Sequence, residues 1–400
     1  MANADIRSLS LPRWLGGATV AWTTAYTAMF LLTTSCRSIV IAIVPIQALA
    51  YVGSAQAVSI LFVAVSTLGV CTSVLMPVLV RRIRTRGLFH VAAVAAIVAP
   101  LLLGLGGFPL FLAGMVCWMF STLAFEVSLN LYTMHHIQRR DLAAFEPRRV
   151  LFMAIAYSVG PWLGVYLESR VTHWLPYGLT MLVAVATVAY FWMLGLREAG
   201  ARQRLDAAPA PLKHVRRFAA QPRMRLAWGI AVARSSWWAT FFIYVPIYAV
   251  TTGLGETTGG ALVSIGVATI YTVTLWGRLG RRYGFRTLLI GGFTISAVAS
   301  IGASLLAGSP WVGAGMLLFS AFCTSTIDGA GNMPFLRAVH PLEREEMVGV
   351  FSTYRDASQL LPPALFAVLL RYLPVQAVFG AAGLWMLSMA WFCRYLPRRL

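Results

Sequence analysis

Charge is what this sequence has least of, and acidic charge above all. Only 11% of its 400 residues are charged, and 13 Asp and Glu stand against 32 Lys and Arg. A soluble chain carries roughly twice that share, so a water-soluble globular protein is excluded. Cysteine pairing is also missing. Cys36, Cys71, Cys117, Cys323 and Cys393 lie in or beside apolar runs, and none forms C-x-x-C. They are therefore expected as small buried apolar residues, not as disulfides or a metal site. The six histidines show no ligand spacing, so neither metal nor cofactor is expected. G-x-x-x-x-G-K-[ST] and H-E-x-x-H do not occur, which argues against ATP hydrolysis and a zinc-dependent hydrolase. Asp328-Gly329 lacks the G-x-G-D order of an intramembrane aspartyl protease, so the chain is not expected to be an enzyme. The net charge of +19 is spread over short basic clusters with no nucleic-acid-binding motif, so no nucleic-acid partner is expected.

What the sequence has instead is apolar length. Hydrophobic residues make up 59% of it, in runs that reach the roughly 20 residues a membrane helix needs. Twelve spans are expected, at 19–44, 55–80, 88–106, 109–134, 149–169 and 173–195, then 225–249, 258–279, 286–307, 310–335, 347–370 and 375–396. The first run is too long for a signal-peptide core and reads as an uncleaved span. The one long hydrophilic stretch, 197–222, divides the chain into a six-helix bundle at 1–196, a cytoplasmic linker and a second bundle at 223–400. Of the 32 basic residues, 27 fall on one side of this arrangement and only Arg170 and Arg371 on the other. By the positive-inside bias both termini are expected in the cytoplasm. The expected location is the bacterial inner membrane, with lipid as the surrounding partner and the monomer as the unit.

The polar residues inside the spans are ordered. Thr122, Glu126 and Asn130 repeat every four residues, and so do Thr324, Asp328 and Asn332, each 202 positions after its counterpart. On a helix each set lines one face. Val44-Pro45-Ile46 recurs as Val245-Pro246-Ile247, Pro161 as Pro362, and Arg81-Arg82 as Arg281-Arg282, at offsets of 200–201. Two halves in the same orientation at a near-constant offset indicate a parallel duplication about an axis along the membrane normal.

This arrangement resembles the major facilitator superfamily over nearly the whole chain. The segment from Gly277 through Leu279, Arg282 and Gly284 to Arg286 is similar to its loop motif G-x-L-a-D-R-x-G-R-R, with Arg281 in place of the acid. In the loop 2–3 copy, Pro77 replaces the leading glycine and Arg81 the acid. Glu343 to Pro363 is similar to the start of the family's span 11. Gly160-Pro161-Trp162-Leu163-Gly164 resembles the tail of the span 5 motif of proton-coupled exporters. The resemblance implies an all-α membrane fold of twelve helices in two pseudo-symmetric six-helix bundles. It also implies secondary transport by alternating access, and the span 5 motif favours efflux by antiport.

Away from the span edges, six charges fall inside spans: Arg37, Arg234 and Arg355 against Glu126, Asp328 and Asp356. Each would cost roughly 2.5–3.5 kcal/mol at a helix centre facing lipid, so pairing or a wet cavity is required. Two readings stand for Glu126, Asp328, Asn130, Asn332 and Arg355. One is a salt-bridged gate, with Glu126 on Arg355 as its latch. The other is proton coupling, in which a carboxylate of raised affinity loads and releases a proton. Arg37 and Arg234 lie on spans 1 and 7, which the resemblance places on the central cavity. A guanidinium fork suits an anionic solute. Trp238, Tyr26 and Tyr157 are the further expected substrate contacts. Trp237, Phe241 and Tyr244 share a helical face that is expected to be packing. The expected function is therefore a proton-coupled carrier of a small organic solute, with an anion as one reading of the arginines. A proton-symport uptake carrier and a transporter-like sensor that moves nothing remain open.

Overall fold

The computed structural model describes residues 18–137, 142–195, 215–306, 308–340 and 343–397. Arg7, Arg13, Arg139, Arg140, Arg398 and Arg399 lie outside the described residues. So does most of the linker expected at 197–222, with Arg197, Arg202, Arg204 and Lys213.

The described chain is helical throughout. The first half comprises α1 (Ala18–Ser38), α2 (Ile43–Val52), α3 (Ala55–Leu105), α4 (Phe108–His136), α5 (Leu142–Tyr166) and α6 (Leu175–Met193). A short helix, α7 (Val215–Ala220), falls within the expected linker. The second half comprises α8 (Pro222–Thr251), α9 (Glu256–Ala268), α10 (Val273–Tyr283), α11 (Phe285–Leu305), α12 (Pro310–Ala330), α13 (Met333–Ala338), α14 (Arg344–Ser352), α15 (Tyr354–Leu369) and α16 (Gln376–Phe392).

Among the described residues, nine helical runs are long and apolar enough to cross a membrane. One of them, Ala55–Leu105, is 51 residues long and bends at Arg84, so it makes two crossings. The remaining two crossings are α8 and α15, whose apolar character is diluted by Arg234 and by Arg355 with Asp356. The total is the twelve expected from hydropathy.

The departures from expectation are breaks. Span 1 is not one helix: it turns at residues 39–42 and resumes as α2, reaching Val52. The local chemistry favours this. The Ser35 hydroxyl donates back to the Leu31 carbonyl at 2.8 Å, competing with the helix ladder. The β-branched run Ile39-Val40-Ile41 then loses side-chain freedom in any helix. Span 10 also breaks, at Gly331 (φ 53°), between α12 and α13. Spans 2 and 3 turn at Arg84 (φ 64°), and the equivalent turn in the second half uses Gly284 (φ 90°). The family-like loop segment is thus a tight left-handed turn. Glycine takes that turn freely, whereas Arg84 holds it under strain.

Across the halves, α5 packs on α9 and α3 packs on α15. These are the same pairing twice, because α9 and the first crossing of α3 correspond in the repeat, as do α5 and α15. One core is shared by both halves and two stay within a single half. At the end away from the arginine-rich turns, one continuous core contains Ile43, Val44, Val58, Phe62 and Val165 of the first half with Trp237, Phe241, Tyr244 and Tyr248 of the second. At the arginine-rich end each bundle keeps a core of its own. Tyr26, Phe30, Phe89, Phe125 and Phe145 cluster in the first, and Met224, Ala231, Phe335, Met347 and Phe351 in the second. The halves share apolar packing away from the arginine-rich turns, and between the two separate cores they meet through polar side chains.

Candidate functional site

The embedded charges are paired, one pair across the halves and one within the second. Glu126 of α4 is ion-paired with Arg355 of α15, so the bond joins one bundle to the other. Their side chains remain 39% and 53% exposed. The pair bridges the two halves about 15 Å from the basic end of α4. Asp356, the next residue, accepts from the Ser73 hydroxyl of α3 at 3.3 Å. One turn further along, Ser66 donates to the Gln359 carbonyl at 3.2 Å. Helices α3 and α15 are therefore joined by polar contacts along one seam.

In the second bundle, Asp328 receives two donors from α8. The Trp238 indole N–H donates to one carboxylate oxygen at 2.9 Å, and Arg234 Nε lies 3.5 Å from the other. These side chains are only 12% (Arg234) and 22% (Asp328) exposed, so this pair is the drier of the two. Asp328 sits three residues before the break at Gly331, where the helix can bring it to α8.

The aromatic side of α8 divides as its 3.6-residue period requires. Trp237, Phe241 and Tyr244 are buried, and Trp237 donates to the Ser300 hydroxyl at 3.1 Å inside the bundle. Trp238 and Phe242 take the other face. Their rings lie 6.1 Å apart, and Phe242 lies 5.6 Å from Tyr157 of α5 in the opposite bundle. Both the Arg37 guanidinium and the Glu126 carboxylate face the Tyr157 hydroxyl. Arg37 also lies over the Trp118 ring at 5.9 Å. An unbroken series of side chains thus runs from Trp118 through Arg37, Tyr157, Phe242, Trp238 and Asp328 to Arg234, crossing from one bundle to the other.

Most of the expected site residues meet here: Arg37, Arg234, Trp238, Tyr157, Glu126, Asp328 and Arg355. Tyr26 does not. It is fully buried in the first bundle's own core, with its hydroxyl 2.9 Å from His136 Nδ1, so it ties α1 to the end of α4. The ladders also diverge. On α4 the face is intact, and Asn130 accepts from Arg149 at 3.2 Å. In the second half Thr324 turns into a buried hydroxyl network with Ser296 (2.7 Å) and Ser320 (2.9 Å to its carbonyl). Asn332 lies beyond the break, exposed at the start of α13. Gly331 ended the helical register that the four-residue spacing assumed.

Sequence reasoning missed three participants. Trp118 lies one turn before Thr122, so the α4 ladder extended upward would have reached it. Phe242 lies four residues after Trp238. Arg149, at the edge of the span expected at 149–169, lies within α5, over the Phe30 ring at 5.0 Å and paired with Glu146 at 2.7 Å. The Gly160 and Gly164 pair of the span 5 motif has a packing role. A Cβ on Gly164 would fall 1.8 Å from the Ile39 carbonyl oxygen, and one on Gly160 would fall 2.3 Å from the Ser38 hydroxyl. The two glycines admit the broken turn of span 1, which follows Arg37 directly.

No family model matches the sequence, and neither does any curated protein. Solved structures do. The nucleoside transporter NupG superposes with a TM-score of 0.70 at 14% identity, over 93% of this chain and 98% of its own. A D-xylose-proton symporter gives 0.71 at 12%, over 96% and 99%. A bacterial homologue of the iron transporter ferroportin, in an inward-facing state, gives 0.66 at 17%, over 95% and 100%. At such identities the likeness is one of fold. That fold is the twelve-helix, two-bundle architecture of major facilitator transporters, and it covers nearly the whole chain.

Proposed function

We propose that the chain is a secondary transporter that moves a small organic solute across the bacterial inner membrane by alternating access, coupled to protons. The observation that carries this reading is the paired set of embedded carboxylates and arginines, one pair bridging two halves that share apolar packing at their other end. The fold-mates support the class, since those cited are a nucleoside transporter, a D-xylose-proton symporter and a homologue of an iron transporter.

The chemistry assigns different tasks to the two acids. Glu126 with Arg355 spans both bundles, so it reports and restrains their separation. Asp328 lies within one bundle, held by Arg234 and Trp238, and can exchange a proton without breaking a cross-bundle bond. Protonation removes the charge that Arg234 and the Trp238 N–H stabilise, which frees α8 to move against α12. Asp328 is accordingly the coupling carboxylate and Glu126 the gate. Both termini lie in the cytoplasm on this reading, because the positive-inside bias puts the basic turns there. The transport unit is the monomer, since both halves and both charged pairs lie within one chain. Direction has less support. The glycines that resembled an exporter motif are accounted for by the fit of span 1, and proton symport fits the same residues equally well.

The test is a panel of organic solutes added to proteoliposomes under an imposed pH gradient, with an internal pH dye as readout. Proton movement driven by at least one solute, lost in Asp328→Asn while the variant stays folded, is the expected result. Flux of full size and unchanged pH dependence in that variant would remove Asp328 from coupling. Absence of movement with every solute would favour a sensor.

A further inference from the structure

We infer that the protein holds its solute by an anionic end on Arg37, and that the solute is a small organic monoanion with an aromatic body. The inference rests on the transport reading for its meaning in the cell, and it is tested by binding alone.

The argument begins with charge. Arg234 is opposed by Asp328 and Arg355 by Glu126. Arg37 has no ion-pair partner among the described residues, although it lies inside a span. The carbonyl end of α1 and the face of Trp118 lessen the cost of that charge, but neither neutralises it nor takes up the guanidinium's fork of donors. The donor beside it is vacant. The Trp118 indole N–H is buried and has no hydrogen-bond partner, and an orphaned buried N–H is uncommon enough to need a cause. Both donors line one cleft, which Thr33, Cys36, Ser121 and Thr122 share. The three hydroxyls offer no competing charge, and each already donates to a helix carbonyl. Among the described residues, Arg37 meets only the neutral Tyr157 hydroxyl and the Trp118 N–H meets no acceptor, which calls for a ligand that supplies acceptors and negative charge, namely a carboxylate or a similar oxyanion.

Size and valence follow. The cleft itself is narrow, with room for little more than a water-sized group, so it takes the anionic end alone and the body of the ligand lies outside it. Glu126 faces the same Tyr157 hydroxyl as Arg37. A second negative charge on the ligand would therefore approach a carboxylate, and a monoanion is preferred. The rings of Tyr157, Phe242 and Trp238 continue from Arg37 into the other bundle, tilted against one another, and offer an apolar wall for an aromatic body. The duplicated span 7 arginine does not join in, because Asp328 holds it. The site is a single-arginine one, confined to the first bundle at its charged end.

The experiment uses the full chain purified in detergent, with thermal stabilisation and tryptophan fluorescence as readouts. The probes are benzoate, its neutral isostere benzamide, the cation benzylamine and the dianion terephthalate. Benzoate is expected to bind at least tenfold more tightly than the other three. Arg37→Gln should weaken benzoate at least tenfold, with Arg37→Lys in between. Trp118→Phe, which keeps the ring and removes the N–H, should weaken benzoate severalfold and leave the weak benzamide signal as it was. Equal binding of benzoate and benzamide, undiminished benzoate binding in Arg37→Gln, or no benzoate binding to folded protein would each overturn the proposal. If Arg37→Gln does not fold, the probe series on the natural chain and Trp118→Phe decide. Proton-linked flux of another solute without benzoate binding would sink this inference and spare the transport reading. Benzoate binding without any flux would do the reverse.

Discussion

At the residue scale, the question for each embedded charge is what stands opposite it. Asp328 and Arg234 are mostly buried and mutually opposed, and removing one partner of a buried pair costs about 3–5 kcal/mol because the other charge is stranded. Asp328→Asn and Arg234→Gln are each expected to lower the melting temperature in detergent. The double variant should recover much of the loss. Additive losses in that cycle would show the two residues to be independent. Tyr26 is the contrasting case. Its hydroxyl bonds His136 inside the bundle core, so Tyr26→Phe should cost about 1 kcal/mol of stability and leave benzoate affinity unchanged. A change in affinity would return Tyr26 to the binding site. These roles were partly legible in the sequence. A charge inside an apolar run is visible from hydropathy alone, and so is the need to compensate it. Which charge answers which is not visible, because Asp328 and Arg234 are 94 positions apart on separate helices. Tyr26 and Tyr157 look alike in sequence, and only packing put the first in a core and the second against the other half.

At the element scale, the helices are shaped by where they stop. The turn at residues 39–42 places Arg37 at a helix end, and it fits only because α5 presents glycine to it. Gly164→Ala would press a methyl into the Ile39 carbonyl oxygen, a backbone atom that cannot step aside. Overpacking of this kind costs about 1–3 kcal/mol or more, so a clear fall in melting temperature is expected. Gly178→Ala on α6 meets nothing within 4 Å and serves as the matched control. Equal behaviour of the two variants would mean that α1 and α5 are not so close. Breaks of this sort were the least legible part of the sequence. The four-residue ladder on span 10 assumed an unbroken helix, and Gly331 with φ 53° ended it one residue before Asn332. Glycine inside a membrane run is compatible with either outcome. The choice depends on what packs beside it.

At the scale of the whole molecule, one shared core and two separate ones define the conformation. The fused end is closed by apolar packing and by the 2.7 Å hydrogen bond between Ser59 and Tyr244. Tyr244→Phe removes that bond at a cost of about 1 kcal/mol, enough for a roughly fivefold shift towards opening at that end. Faster hydrogen exchange in α2 and in the last turns of α8 is the expected signature, and unchanged exchange there would place the closing energy elsewhere. The arrangement in the membrane has its own check. A reporter fused after residue 397 should be active only in its cytoplasmic form, and one inserted at Gly53 only in its exported form. The opposite pattern would invert the molecule.

The sequence by itself determined that this is a membrane chain of duplicated six-helix halves with charge buried inside them. Apolar length, basic bias and a repeat offset of about 200 residues are linear properties, and they survive without coordinates. The tertiary structure decided the rest: that Glu126 joins the bundles while Asp328 stays within one, that span 1 breaks after Arg37, and that among the described residues this arginine has no opposing acid and the Trp118 N–H no acceptor. Those facts depend on which helix faces meet. That is settled by shape and by a few glycines, across separations that no local pattern encodes.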